Sequence, residues 1–188
     1  MGIPKDPFED SCTLAYQEWQ QRLSDSLELD FSPHDPGEDA QTWLRAVHRE
    51  NGDLPVDHLA PLVLARRAHI ATAVTAAVRG AFVADGHHDL DVPVVLQPPS
   101  PTAAMGTVQV GNQEIQGIDT QDIAVQAGDG FQTHLADVRA EIWPVCPTHD
   151  NGAHPRVVSG AAVWQCPATG HVLSPIHPAP PADAPAGG

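Results

Sequence analysis

The amino-acid sequence predicts an α+β fold: an N-terminal helical layer, a small antiparallel sheet, then a helix and a cysteine-flanked β-hairpin. Apolar residues recur at helical spacing in the first half of the chain, and short alternating runs typical of half-buried strands follow. Near the carboxyl end, two Cys-Pro pairs flank a strand–turn–strand pattern. The predicted parts are a helical region at 1–86, a small β region with a helix at 87–142, the hairpin at 143–177 and a disordered proline-rich tail at 178–188.

Three helices are predicted before residue 86. The first covers residues 7–29, with Asp6 as its cap and Pro7 at its first position. The second covers residues 38–50. The third, at 55–84, is the longest, and we expect it to be the scaffold of this half of the chain.

The longest predicted helix carries a wide apolar stripe that is rich in alanine. Its members are Leu59, Leu62, Val63, Ile70, Val74, Ala77, Val78, Ala81 and Phe82. A stripe at helical spacing is usually core, so we expect the first two helices to pack against it. The alternative is that part of the stripe remains uncovered and binds a second copy of the chain or another protein.

Strands are predicted at residues 92–97, in a hairpin spanning 107–118, and at 123–125. A helix is predicted from the Gly128-Asp129-Gly130 segment onward, because apolar residues then follow at steps of four, three and four. Those residues are Phe131, Leu135, Val138 and Ile142.

The final hairpin brings two cysteines to one end. Strands at 157–158 and 161–164 are joined by the tight turn Ser159-Gly160, and Cys146 and Cys166 lie beyond their outer ends. Prolines follow both cysteines and stiffen the turns that contain them.

Metal-ligand spacing accompanies those cysteines. Cys146 is followed three positions later by His149, and Cys166 is followed five positions later by His171. Two thiolates and two imidazoles form a tetrahedral zinc set, with His154 as a spare donor. We therefore predict zinc as the cofactor and a zinc-ribbon-like hairpin.

Two other interpretations of the cysteines remain open, namely free thiols beside surface histidines and a disulfide between Cys146 and Cys166. If a metal binds, a closed structural site is favoured, because four or five donors lie in one hairpin and Asp150 is its only carboxylate. No residue is assigned a catalytic role.

The pattern WPxCPxH, then His-Pro, then VWxCP resembles the carboxyl end of a group of uncharacterised actinobacterial proteins. The resemblance covers about the last third of the chain. It implies a shared hairpin with Cys146, His149, His154 and Cys166 at matching places, which leaves the fourth ligand open between His154 and His171. It implies no activity.

Asp85 to Asp91, which includes His87 and His88, is a second candidate site, because histidines and aspartates alternate there. A solvated polar loop is the simpler interpretation. His48 and His69 are expected on helix surfaces or in the core, and Cys12 is expected to be an inert buried thiol.

The charge balance limits the partners. With 24 acidic and 9 basic residues the formal net charge is −15, which repels nucleic acid and anionic lipid. The first residues have no apolar stretch behind a basic start, so we expect a cytoplasmic location, where three widely spaced cysteines stay reduced.

These features favour a non-enzymatic cytoplasmic adaptor or regulatory module that binds an unidentified protein or a second copy of itself. The first alternative is a metal-dependent enzyme that uses the hairpin or the His87-His88 loop. The second is a nucleic-acid-binding zinc protein, which the charge disfavours because Arg156 is the only basic residue of the hairpin.

Overall fold

The computed structural model describes residues 14–23 and 38–177, which form four helices and two three-stranded antiparallel sheets. The helices are α1 at residues 14–23, α2 at Glu38–Asn51, α3 at Val56–Ala84 and α4 at Thr120–Arg139. The first sheet contains β1 (Val94–Gln97), β2 (Thr107–Val110) and β3 (Gln113–Ile115), and the second contains β4 (His154–Val158), β5 (Ala161–Gln165) and β6 (Val172–Pro175). The predicted α+β class is confirmed.

Several predictions fall on residues outside this range. They are the start of the first helix with its Asp6 cap, Cys12, and the tail at 178–188. Among the described residues, none of the helices has the length and apolar character needed to cross a lipid bilayer.

The first two helices pack on the amino-terminal half of α3, as the apolar stripe predicts. Trp19 of α1 and Leu44 of α2 are buried there against Leu59 and Val63 of α3. The Trp19 indole N–H also donates a hydrogen bond to the Leu54 carbonyl at 2.9 Å, which fixes α1 to the loop before α3. Each fully buried side chain of this kind contributes about 1.5–3 kcal/mol relative to an exposed one.

A second and larger cluster of buried residues joins the carboxyl-terminal half of α3 to both sheets and α4. Phe82 of α3, Phe131 of α4 and Trp164 of β5 belong to it, and Trp143 packs edge-on against all three rings. The second sheet therefore packs into the main core and is not an independent appendage.

The first sheet follows the predicted pattern. The β2–β3 hairpin turns at Gly111, whose φ of 56° suits a glycine, and places Val108 opposite Ile115. Strand β1 pairs with β2 on the other side, with Val94 opposite Val110.

The strand predicted at residues 123–125 is wrong, because these residues lie inside α4. This helix begins at Thr120, where the Asp119 side chain accepts a hydrogen bond from the Gln121 backbone N–H at 2.8 Å. It continues through Gly128 and Gly130, the segment from which the sequence predicted it to start.

The second sheet contains the predicted hairpin and one further strand. Strands β4 and β5 turn at Ser159-Gly160, where both φ angles are positive, and Val158 lies opposite Ala161. Strand β6 was not predicted. It pairs with the other side of β5, and the register of the pairing shifts between Trp164 and Gln165.

Candidate metal centre

The two cysteines occupy equivalent turns. In each, the N–H four residues after the cysteine donates to the cysteine carbonyl, and the cysteine N–H donates to the carbonyl five residues after it. For the first bond, the N···O distance is 2.9 Å from Asp150 to Cys146 and 2.8 Å from Gly170 to Cys166. For the second, it is 2.8 Å from Cys146 to Asn151 and 2.9 Å from Cys166 to His171. The fourth position has a positive φ in both turns, 52° at Asp150 and 74° at Gly170.

The hairpin and α4 bring these turns together. The turn that contains Cys146 ends at Asn151, shortly before β4, and Cys166 directly follows β5. The antiparallel pairing of His154 with Gln165 places these two ends side by side. Gln132 of α4 then ties down the first turn, because its side-chain amide donates to the carbonyls of Trp143 at 2.9 Å and Ala153 at 2.6 Å.

One ligand atom from each of Cys146, His149, Cys166 and His171 lies within 4.8 Å of all the others, so the cluster could hold a metal ion. His149 Nδ1 lies 3.4 Å from both sulfur atoms, and His171 Nε2 lies 3.3 Å from Cys146 Sγ. Metal–ligand bonds of about 2.3 Å to sulfur and about 2.0–2.1 Å to nitrogen place S and N about 3.6 Å apart in a tetrahedron. The observed spacings are close to that value.

The thiols are protected and the imidazoles are closer to solvent. Both cysteines are free of any disulfide and fully buried, whereas His149 is half-buried and His171 is exposed. This conformation therefore contains no disulfide between Cys146 and Cys166.

The local environment favours the thiolate form of Cys146. Burial raises the pKa of this thiol, but hydrogen bonds from the Thr148 N–H, the His149 side chain and N–H, and the Cys166 thiol outweigh it and lower the pKa from 9.0 to about 6. A thiolate is the form that binds metals.

His154, the spare donor in the sequence, lies apart from this cluster. It is the first residue of β4, is exposed, and lines a cavity of about 600 Å³ between α4 and the two turns. Of the two histidines that competed for the fourth place, the structure brings His171 to the cysteines.

The His87-His88 loop is occupied by structural contacts. His87 Nδ1 lies 2.5 Å from Glu141 Oε1, and its ring stacks on Phe82 at 4.4 Å. Arg139 donates to the His88 carbonyl at 2.6 Å. Within the described part of the chain, the four-residue cluster is the only set of three or more Cys, His, Asp or Glu side chains close enough to hold a metal.

Sequence reasoning missed one polar residue of the site. Thr169 Oγ1 lies 2.7 Å from His171 Nδ1, the ring nitrogen on the side away from the cysteines. The available signal was its position, since Thr169 follows Cys166 by three residues just as His149 follows Cys146.

The cluster combines two buried sulfur atoms with two imidazoles on a hairpin anchored in the main core. This arrangement suits metal binding. The function of the protein has to be inferred from this site, because a fold alone does not specify a function. No family model matches the sequence, and comparisons with curated proteins and with solved structures found no match.

Proposed function

We propose that the protein binds one structural zinc ion through Cys146, His149, Cys166 and His171, and that this ion fastens the second sheet to the core. The observation that carries the proposal is the convergence of two sulfur and two nitrogen atoms within 4.8 Å. Mixed thiolate and imidazole ligands in a tetrahedral arrangement are typical of zinc.

A structural role is favoured over catalysis because the chain supplies four ligands. A catalytic zinc keeps one position for water and has an acid or base beside it. The only carboxylate between Trp143 and His177 belongs to Asp150, an exposed residue whose backbone N–H closes the first turn.

Elemental analysis and histidine variants test the proposal. We expect about one zinc per chain in purified protein, as one tetrahedral site requires. Cys146→Ser and His171→Ala should lose the ion. His171 is exposed, so the His171→Ala chain should still fold and its loss of zinc should be measurable in soluble protein.

Two matched controls accompany these variants. Cys12→Ser repeats the cysteine substitution elsewhere in the chain, and His154→Ala repeats the histidine substitution beside the site; both should retain zinc. Wild-type protein that takes up neither zinc nor Co²⁺ would contradict the proposal, and so would His154→Ala protein that loses as much zinc as His171→Ala.

A second candidate function, self-association, is favoured by the outer face of α3. From Pro61 to Ala84, the most exposed residues of this helix are uncharged when His69 is neutral, and Arg79, whose side chain is 40% exposed, is paired with Asp89; the chain as a whole has a net charge of −15. A surface helix normally carries charged and polar residues on its solvent side, so this outer face is unusually apolar. The exposed large side chains Leu62 and Val83 mark the two ends of this outer face.

The outer face of α3 matches a second copy of itself in the antiparallel direction. Three pairs of its exposed residues are equally spaced about the middle: Leu62 with Val83, Ala65 with Gly80, and His69 with Ala76. A two-fold axis at that middle would place Leu62 beside Val83 and Ala65 beside Gly80, and would set the His69 ring against the small Ala76. Small residues there would let the helices approach closely.

Analytical ultracentrifugation tests this second candidate. Wild-type protein should form dimers at high concentration, and added salt should strengthen the association because it screens repulsion between two acidic chains. Ala76→Glu should abolish dimers, whereas the matched variant Ala136→Glu, on the exposed side of α4, should not. A wild-type chain that stays monomeric at millimolar concentration in high salt would exclude self-association.

A further inference from the structure

The two ring nitrogens of His171 have different partners. Nε2 lies 3.3 Å from Cys146 Sγ and faces the cluster, while Nδ1 lies 2.7 Å from Thr169 Oγ1. A histidine that binds a metal through one nitrogen must carry its proton on the other, and the partner of that second nitrogen decides which tautomer forms.

We propose that Thr169 is a positioning residue for the metal site. Its hydroxyl oxygen accepts a hydrogen bond from Nδ1–H of His171, which leaves Nε2 unprotonated and aimed at the ion. This inference rests on the proposed zinc function and adds the residue that selects the tautomer and orientation of the fourth ligand.

His171 needs such support more than the other three ligands do. Both cysteines are fully buried, and His149 is half-buried with its Nδ1 close to both sulfur atoms. His171 is exposed and follows Gly170, so packing does little to hold its ring. A hydrogen bond of 2.7 Å to the ring supplies the missing restraint.

The backbone of the second turn is also arranged to present Thr169. The Gln165 side-chain amide donates to the Gly170 carbonyl at 2.8 Å, and the Gly170 N–H closes the turn on Cys166. Since the two turns are equivalent, Thr169 stands where the first turn has its histidine ligand. The second turn thus has a supporting hydroxyl at the third position and its ligand two residues later.

Three variants test the inference. Thr169→Val removes the hydroxyl at nearly constant shape, and we expect zinc affinity, measured by competition with a chelator, to fall by about 10- to 100-fold. Thr169→Ser keeps the hydroxyl and should retain most of the affinity. The matched control Thr133→Val, on the exposed side of α4, should bind zinc as the wild type does.

A purely structural effect is separated by two further measurements. Thr169 is exposed, so the metal-free Thr169→Val chain should unfold at the same temperature as the metal-free wild-type chain. In the zinc-bound wild type, nitrogen NMR should show the His171 proton on Nδ1, and Thr169→Val should broaden or shift that signal while His149 is unaffected.

The outcomes distinguish this inference from the function on which it rests. A wild type that binds no metal overturns the zinc proposal. A wild type that binds zinc, with Thr169→Val binding equally well, overturns only the role of Thr169. Thr169→Ser that binds as weakly as Thr169→Val also overturns it, because the hydroxyl would then not be the group responsible.

Discussion

Two glycines allow α4 to lie in close contact with both sheets. A Cβ atom on Gly130 would lie 2.4 Å from the Val110 carbonyl oxygen in the first sheet. A Cβ atom on Gly128 would lie 3.3 Å from the Trp164 ring in the second. Glycine costs about 0.5–1 kcal/mol relative to alanine inside a helix, so these positions sacrifice helix propensity for close packing.

Alanine substitutions at two helical glycines should therefore have opposite effects. Gly130→Ala should lower the free energy of unfolding by about 1–3 kcal/mol, because its methyl group meets a backbone carbonyl that cannot move aside. Gly80→Ala, where nothing lies within 4 Å of the added carbon, should raise it by about 0.5–1 kcal/mol. Urea denaturation followed by circular dichroism measures both, and a Gly130→Ala chain as stable as the wild type would contradict the close approach.

At the scale of elements, the sequence predicts those helices and strands correctly whose apolar pattern is long or regular. Helices α2 and α3 and the β2–β3 hairpin were predicted, because their apolar periodicity extends over many residues or surrounds a clear turn. The start of α4 was missed because Ile123-Ala124-Val125 is too short to distinguish strand from helix and two glycines follow. Only tertiary packing explains those glycines.

The second sheet shows the same limit at the candidate metal centre. The residues of the cluster were all among the candidates, because cysteine and histidine spacing is visible in the sequence. The choice between His154 and His171 depends on how the strands pair: His154 belongs to β4, whereas His171 lies beside β6, a four-residue strand that contains Pro175. Thr169 was missed because its match to the position of His149 becomes informative only once the two turns are known to be equivalent.

At the scale of the whole molecule, we expect the candidate centre to be coupled to the main core. Residues of α3, α4 and both sheets share one buried cluster, and Trp143 and Trp164 of that cluster lie three and two residues from Cys146 and Cys166. Loss of the ion would loosen the turns from which both side chains enter the core. The effect should therefore extend beyond the hairpin.

Removal of the metal should accordingly lower the temperature of the main unfolding transition. At a free zinc concentration about 1,000 times the Kd, binding adds about 4 kcal/mol, which corresponds to roughly 10 °C for a chain of this size. Thermal melts by far-ultraviolet circular dichroism, with and without a chelator, measure the shift. His171→Ala should melt at the temperature of the chelator-treated wild type, whether or not the chelator is present.

If the chelator shifts only a small separate transition and leaves the main one unchanged, the second sheet unfolds on its own. His154→Ala provides the matched histidine control, and it should respond to the chelator as the wild type does.

The contact between Trp143 and Trp164 gives the protein a built-in optical probe. Their rings meet edge to face at 5.7 Å, while the other two indoles, Trp19 and Trp43, belong to the separate amino-terminal cluster. Because Trp143 and Trp164 lie within three residues of the cysteines, we expect a Co²⁺ ion in the cluster to quench their emission more than that of Trp19 and Trp43. Ion occupancy can therefore be followed from intrinsic fluorescence, without a label attached to the chain.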